Sequence, residues 1–91
     1  MIWTEMKSDP HKVAELITQR FYSLFKRQGD FFVSNSGERF SLHVMGDAAP
    51  WNFLVIEYQD TGEDGDAFYP SDYDTIEDLI ADMVQEIDAG S

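Results

Sequence analysis

Carboxylates supply most of the chemistry this chain could do. The run Asp60-Thr61-Gly62-Glu63-Asp64-Gly65-Asp66 places four acids within seven residues. Oxygen ligands at that density suit a hard cation. A helix–loop–helix calcium site puts acids at loop positions 1, 3, 5 and 12, with glycine at 6. Counted from Asp60, positions 1, 5 and 6 agree, but Gly62 stands at 3 and Ser71 at 12, so the bidentate glutamate is missing. The segment before the run also reads as strand, not helix. A solvated hairpin loop is the simpler reading, and neither a metal nor another cofactor is expected.

Ser41 and His43 stand two residues apart on one side of an alternating segment, and Glu57 interrupts the apolar run 52–59. Serine, imidazole and carboxylate are the parts of a hydrolytic relay. Yet no G-x-S-x-G or comparable nucleophile signature surrounds any serine, and Ser34 and Ser36 belong to turn chemistry. His43 therefore reads as a sheet-surface histidine with an ordinary hydrogen bond. Glu57 reads as a partner for Arg39 or Arg20, or as the point where that face meets water, and His11 as an exposed residue in the first turn of a helix. No Gly-rich phosphate loop is present. A non-enzymatic protein with no catalytic residue is expected.

A third set is harder to set aside. Asp78, Asp82 and Glu86 recur at i, i+4 and i+8, so on a helix they stack roughly 6 Å apart. Like charges at that spacing cost a few tenths of a kcal/mol per pair, and no Lys or Arg shares the segment to offset them. Glu86 and Asp88 also stand where the helix dipole disfavours anions. The row belongs to a wider asymmetry. All six Lys and Arg lie at or before Arg39, whereas 13 of the 18 carboxylates follow it, giving a net charge of -12. Such a block repels nucleic acid and membrane phosphates. What it suits is a basic protein surface, including the DNA-binding surface of another protein, where carboxylates can stand in for phosphates. The candidate contacts are Glu63, Asp64 and Asp66 in the loop and Glu77, Asp78, Asp82, Glu86 and Asp88 in the helix. Tyr58, Phe68, Tyr69 and Tyr73 lie near them as aromatic contacts. Two plainer readings compete. In one, a basic face of the first helix (Lys12, Arg20, Lys26 and Arg27) lies alongside and neutralises the row. In the other, the acidity serves solubility only.

The elements that must position these residues can be read from spacing. Asp9 can cap a helix that Pro10 opens, and Val13, Leu16, Ile17, Phe21 and Leu24 form one apolar stripe. The pattern predicts a helix over 10–28, with Lys26 and Arg27 in the last turn and Gly29 as the stop. Strands are predicted at 31–34, 39–45 and 52–59. In the second, Phe40, Leu42 and Val44 face one way and Ser41, His43 and Met45 the other. The third is apolar on both faces. Residues 67–69 are expected to return as a fourth, edge strand before Pro70. The last helix carries Ile76, Leu79, Ile80, Met83, Val84 and Ile87 on one face. Asp74 or Thr75 caps it, each with an acid three residues on.

The order is α-β-β-β-(β)-α, an α+β domain in which an antiparallel sheet of three or four strands carries two helices on one face. Residues 1–91 form one domain, with 1–9 as an N-terminal segment and 89–91 as a flexible tail. Seven Phe, four Tyr and two Trp exclude a disordered acidic chain. The absence of cysteine excludes a disulfide framework. The start of the chain lacks a signal-peptide pattern, no apolar run approaches a membrane span, and a cytoplasmic setting is expected. With two helices on one side, the other sheet face is left open, to be covered by a homodimer partner or by Trp3, Trp51 and the loops.

These readings converge on a small acidic interaction module whose C-terminal half binds a basic protein surface, without nucleic acid or membrane as partner. Compact acidic domains of this order recur among phage-encoded inhibitors and small immunity or antitoxin proteins, some of them DNA mimics. That likeness is one of size and charge and rests on no motif. The alternative is a structural or homo-oligomeric domain whose acidity is solubilising. A calcium-binding or hydrolytic role stands well behind both.

Overall fold

The computed structural model describes residues 2–46 and 52–89. A one-turn helix α1 (Trp3–Met6) leads into α2 (Pro10–Leu24), then come strands β1 (Lys26–Gln28), β2 (Phe31–Val33), β3 (Arg39–Met45) and β4 (Phe53–Tyr58). A 3₁₀ turn at Pro70–Asp72 precedes the last helix, α3 (Ile76–Ala89). The four strands form an antiparallel meander in sequence order. The α+β class, the single sheet and the two long helices are as the spacing predicts. Of the tail expected at 89–91, Ala89 is instead the last residue of α3; residues 90–91 and Trp51, expected as a cover, fall outside the described residues.

α2 starts where the cap chemistry puts it. The Asp9 carboxylate accepts from the Lys12 amide at 3.4 Å, and Pro10 occupies the first turn. It ends earlier than the spacing predicts. Phe25 turns extended (φ -130°, ψ 153°), and Lys26, Arg27 and Gln28 leave the helix to pair with Val33, Phe32 and Phe31. The reversal is a two-residue turn, Gly29-Asp30, with Gly29 at φ 60°; glycine at the first turn position matches the twist of a hairpin. Tertiary packing outweighs the helix propensity of Lys, Arg and Gln. The Arg27 guanidinium sits 5.0 Å from both the Tyr22 and Phe32 ring centroids.

The fourth strand is thus at the N-terminal edge of the sheet. Residues 67–69 contribute only a single bridge, in which Leu54 and Phe68 exchange backbone bonds of 2.8 and 2.7 Å.

Both long helices cover the same sheet face. Val13, Ile17 and Phe21 of α2 and Leu79, Ile80, Met83 and Ile87 of α3 join Phe32, Phe40, Leu54, Ile56 and Tyr58 in one core. At its centre four phenylalanines pack largely edge to face. Phe21 lies 5.4, 5.6 and 5.9 Å from Phe25, Phe32 and Phe40, and Phe25 lies 5.0 Å from Phe40. Trp3 packs against this core, and its indole N–H donates to the Tyr73 carbonyl at 2.9 Å. It therefore seals the core side rather than the open face. The α3 cap is Thr75, whose hydroxyl accepts from the Asp78 amide at 3.2 Å.

Candidate acidic groove

β4 delivers the chain into the acidic loop, and the loop folds back along the strand it has just left. The Tyr58 amide donates to Glu63 O (2.9 Å), Gly62 N to Tyr58 O (2.8 Å) and Gly65 N to Ile56 O (2.7 Å). These bonds carry the loop past the C-terminal half of α3. Between them opens a groove of about 720 Å3. Its acidic walls are Glu63, Asp64 and Asp66 from the loop and Asp82 and Glu86 from α3; Tyr58, Phe68 and Tyr73 supply the aromatic surface. Residues distant in sequence and unified only by charge thus meet at one place.

Hydrogen bonds order the walls. Glu86 accepts from the Asp66 amide through Oε1 at 2.6 Å, and from the Tyr58 hydroxyl through Oε2 at 3.5 Å. Its carboxylate lies against Gly65, where an added Cβ would stand 2.8 Å from the carboxyl carbon. A side chain at 65 would push the Glu86 carboxylate out of its present position. Burial raises the Glu86 pKa, with the Asp66 charge adding to it, and this outweighs the Asp66 amide bond, which lowers it. Tyr58 is pushed up to about 12, first by burial and then by the charges of Glu86 and Glu38. Tyr73 is likewise pushed up to about 12, first by burial and then by its bond to Asp82. Both phenols therefore keep their protons near neutrality and donate to the groove carboxylates.

The remaining candidates lie outside this groove. Glu77 pairs with Arg20 at 3.3 Å across α2 and α3, both side chains being well exposed. Asp88 accepts from the Asn35 amide group at 3.3 Å. Asp78 stands in the first turn of α3, where the dipole favours an acid. Tyr69 packs against Phe53, the rings tilted at 44° with centroids 5.6 Å apart, and Phe53 lies on the other sheet face. Of the basic residues expected to line α3, only Arg20 belongs both to α2 and to an ion pair with α3, since Lys26 and Arg27 are strand residues. Among the described residues no ion pair reaches Glu63, Asp64, Asp66, Asp82 or Glu86.

Asp60, the first residue of the calcium-like run, is held away from such a role. Its carboxylate accepts from Arg39 Nη2 at 2.6 Å, Nε at 3.2 Å and the backbone amide at 3.2 Å. These bonds lower its pKa below the ordinary 3.8. Its folded value lies below its unfolded one, so the stability it contributes is present above about pH 4 and lost as pH falls through the folded value. Glu86 works in the opposite sense, with stability gained as pH falls through its raised value. Stability is expected to rise on mild acidification and then fall below about pH 4. Arg39→Ala should remove the part of the acid limb that Asp60 supplies. Equal acid limbs in the two proteins, followed by urea melts across pH, would contradict this assignment.

On the open sheet face Ser41 Oγ lies 2.8 Å from His43 Nε2, and the same nitrogen lies 3.9 Å from Glu57 Oε1. Glu57 thus neighbours His43 instead of Arg39 or Arg20. A hydrolytic relay needs the base to hold the nucleophile on one ring nitrogen and the acid on the other. Here one nitrogen faces both, on a flat and half-exposed surface. Among the described residues no group of three His, Asp or Glu side chains is placed to hold a metal ion, and no helix is long and apolar enough to cross a membrane.

Comparison of the chain with protein-family models, with curated proteins and with solved structures returned no match in any of the three.

Proposed function

We propose that this protein is a non-catalytic interaction module that receives a basic protein surface in the groove between the loop 59–67 and α3. The observation that carries the reading is the convergence of five carboxylates and three aromatic rings on one concave surface, with no ion pair among the described residues to neutralise it. Carboxylates attract and orient a Lys or Arg side chain, and tyrosine faces favour the same cations. A surface of nucleic-acid-binding type would meet these requirements, which is the sense in which the protein would act as a DNA mimic or a small inhibitor.

The location of binding is testable with a tetra-arginine peptide. Amide shifts followed during titration are expected to move at Asp64, Asp66, Phe68, Tyr73, Asp82 and Glu86. Shifts spread evenly over all acidic positions, including Glu5, Glu15 and Asp30, would instead mean diffuse attraction of a polycation.

The sheet face away from the helices suggests a second occupant, another copy of this chain, although Val55 there is already buried. Met45 is 42% exposed there, and Tyr69, at its margin, is 40% exposed. Light scattering at millimolar and micromolar concentration distinguishes a dimer from a monomer.

A further inference from the structure

The loop 59–67 is tied to its two neighbours by different chemistry. Toward β4 the ties are backbone bonds, from Glu63, Gly62 and Gly65 to Tyr58 and Ile56, closed off by the Leu54–Phe68 bridge. Toward α3 the tie is a side chain, the Glu86 carboxylate that accepts from the Asp66 amide at 2.6 Å. We propose that this loop is a strap hinged on β4, and that the charge on Glu86 sets its closure onto α3, neutralisation shutting it.

The surroundings of that carboxylate give the direction. Closed, it is pressed against Gly65 at a distance that leaves no room for a side chain, and it is half withdrawn from water. Asp66 from the loop and Tyr58 from β4 lie against it, and Glu63, Asp64, Tyr73 from the segment before α3 and Asp82 from α3 line the same groove. Glu38, in the turn before β3, adds negative charge near Tyr58. Among the described residues no cation pairs with it.

An anion in this setting gains from opening, which returns it to water and away from Asp66. The neutral acid has no such gain and still accepts the Asp66 N–H through its carbonyl oxygen. The upward displacement of the Glu86 pKa in the closed form agrees. A group that binds protons more tightly closed than open closes as pH falls. The inference does not depend on what the groove binds.

Adjacent amides report the two ties separately, since Gly65 N–H bonds to β4 and Asp66 N–H to Glu86. Hydrogen exchange, corrected for intrinsic rates and referred to the core amides of Ile17 and Leu79, should show Asp66 protection rising several-fold between about pH 7 and about pH 5. Gly65 should change less. Glu86→Gln, a neutral isostere, should protect Asp66 at pH 7 more than wild type does and remove the pH dependence. Asp66→Asn keeps the donor and removes the facing charge, and should move protection at pH 7 the same way. Unchanged Asp66 protection in wild type across this range would overturn the proposal. So would weaker protection in both variants than in wild type at pH 7, because the bond would then require the anion.

Discussion

Phe40→Ala should cost about 3–5 kcal/mol of folding free energy, the usual range for removing a buried aromatic ring. Phe40 is fully buried at the junction of β3 with α2, and its ring meets Phe21, Phe25 and Phe32 at 5.0 to 5.9 Å. The three neighbours come from α2, the residue just after it, and β2, so the ring joins the hairpin to the helix. A domain this small holds roughly 5–15 kcal/mol in all, and the variant would sit near the edge of stability. Met45, on the same strand but pointing to the open face and 42% exposed, supplies the contrast. Met45→Ala should stay within about 0.5 kcal/mol of wild type. Urea midpoints measure both, and a Phe40→Ala loss below about 1 kcal/mol would mean that the aromatic cluster collapses around the gap.

The second large effect concerns binding. Neutralising Glu63, Asp64 and Asp82 together, as Glu63→Gln, Asp64→Asn and Asp82→Asn, removes charge from the groove with almost no change of shape. The Asn at 82 can still accept from Tyr73. All three carboxylates are exposed, and exposed ion pairs are worth up to about 1 kcal/mol each, so loss of the three together should weaken a cationic peptide about tenfold to a hundredfold. Folding should respond in the other direction. Relief of like-charge repulsion contributes a few tenths of a kcal/mol per pair, so the variant should melt slightly higher at low salt and depend less on added salt. Loss of binding together with preserved or raised stability is the signature of a surface kept for recognition. Loss of both would mean that these acids hold the fold.

Much of this architecture is legible in the residues. α3 follows from six apolar positions on one face and a Thr75 cap, and β3 and β4 follow from their alternation. The β1 strand is not legible in the same way. Lys26, Arg27 and Gln28 are all exposed and carry no alternation, and each is a good helix former. Their conformation is dictated by partners, Phe31 to Val33 across the Gly29-Asp30 turn, and that dipeptide is the only local signal. The groove was half legible. Charge and aromaticity identify Asp66, Asp82, Glu86, Tyr58 and Tyr73 as candidates, but their convergence depends on how the loop folds back on β4. Gly65 escapes sequence reading altogether, because its role is to leave room for Glu86. Charge alone offers Glu57 an arginine partner or a place where the strand meets water, and its half-exposed side chain fits the second. The β3–β4 register places Glu57 opposite Ser41, while Arg39 is taken by Asp60 in the turn beyond.

The most direct measurement is a calorimetric titration of tetra-arginine peptide into wild type and into the triply neutralised variant, at low and at near-physiological salt. Wild type should bind with an affinity that falls as salt rises, and the folded variant should bind at least about tenfold more weakly. Equal affinity in the two proteins, or no binding to wild type at low salt, would contradict a groove made to receive a basic surface.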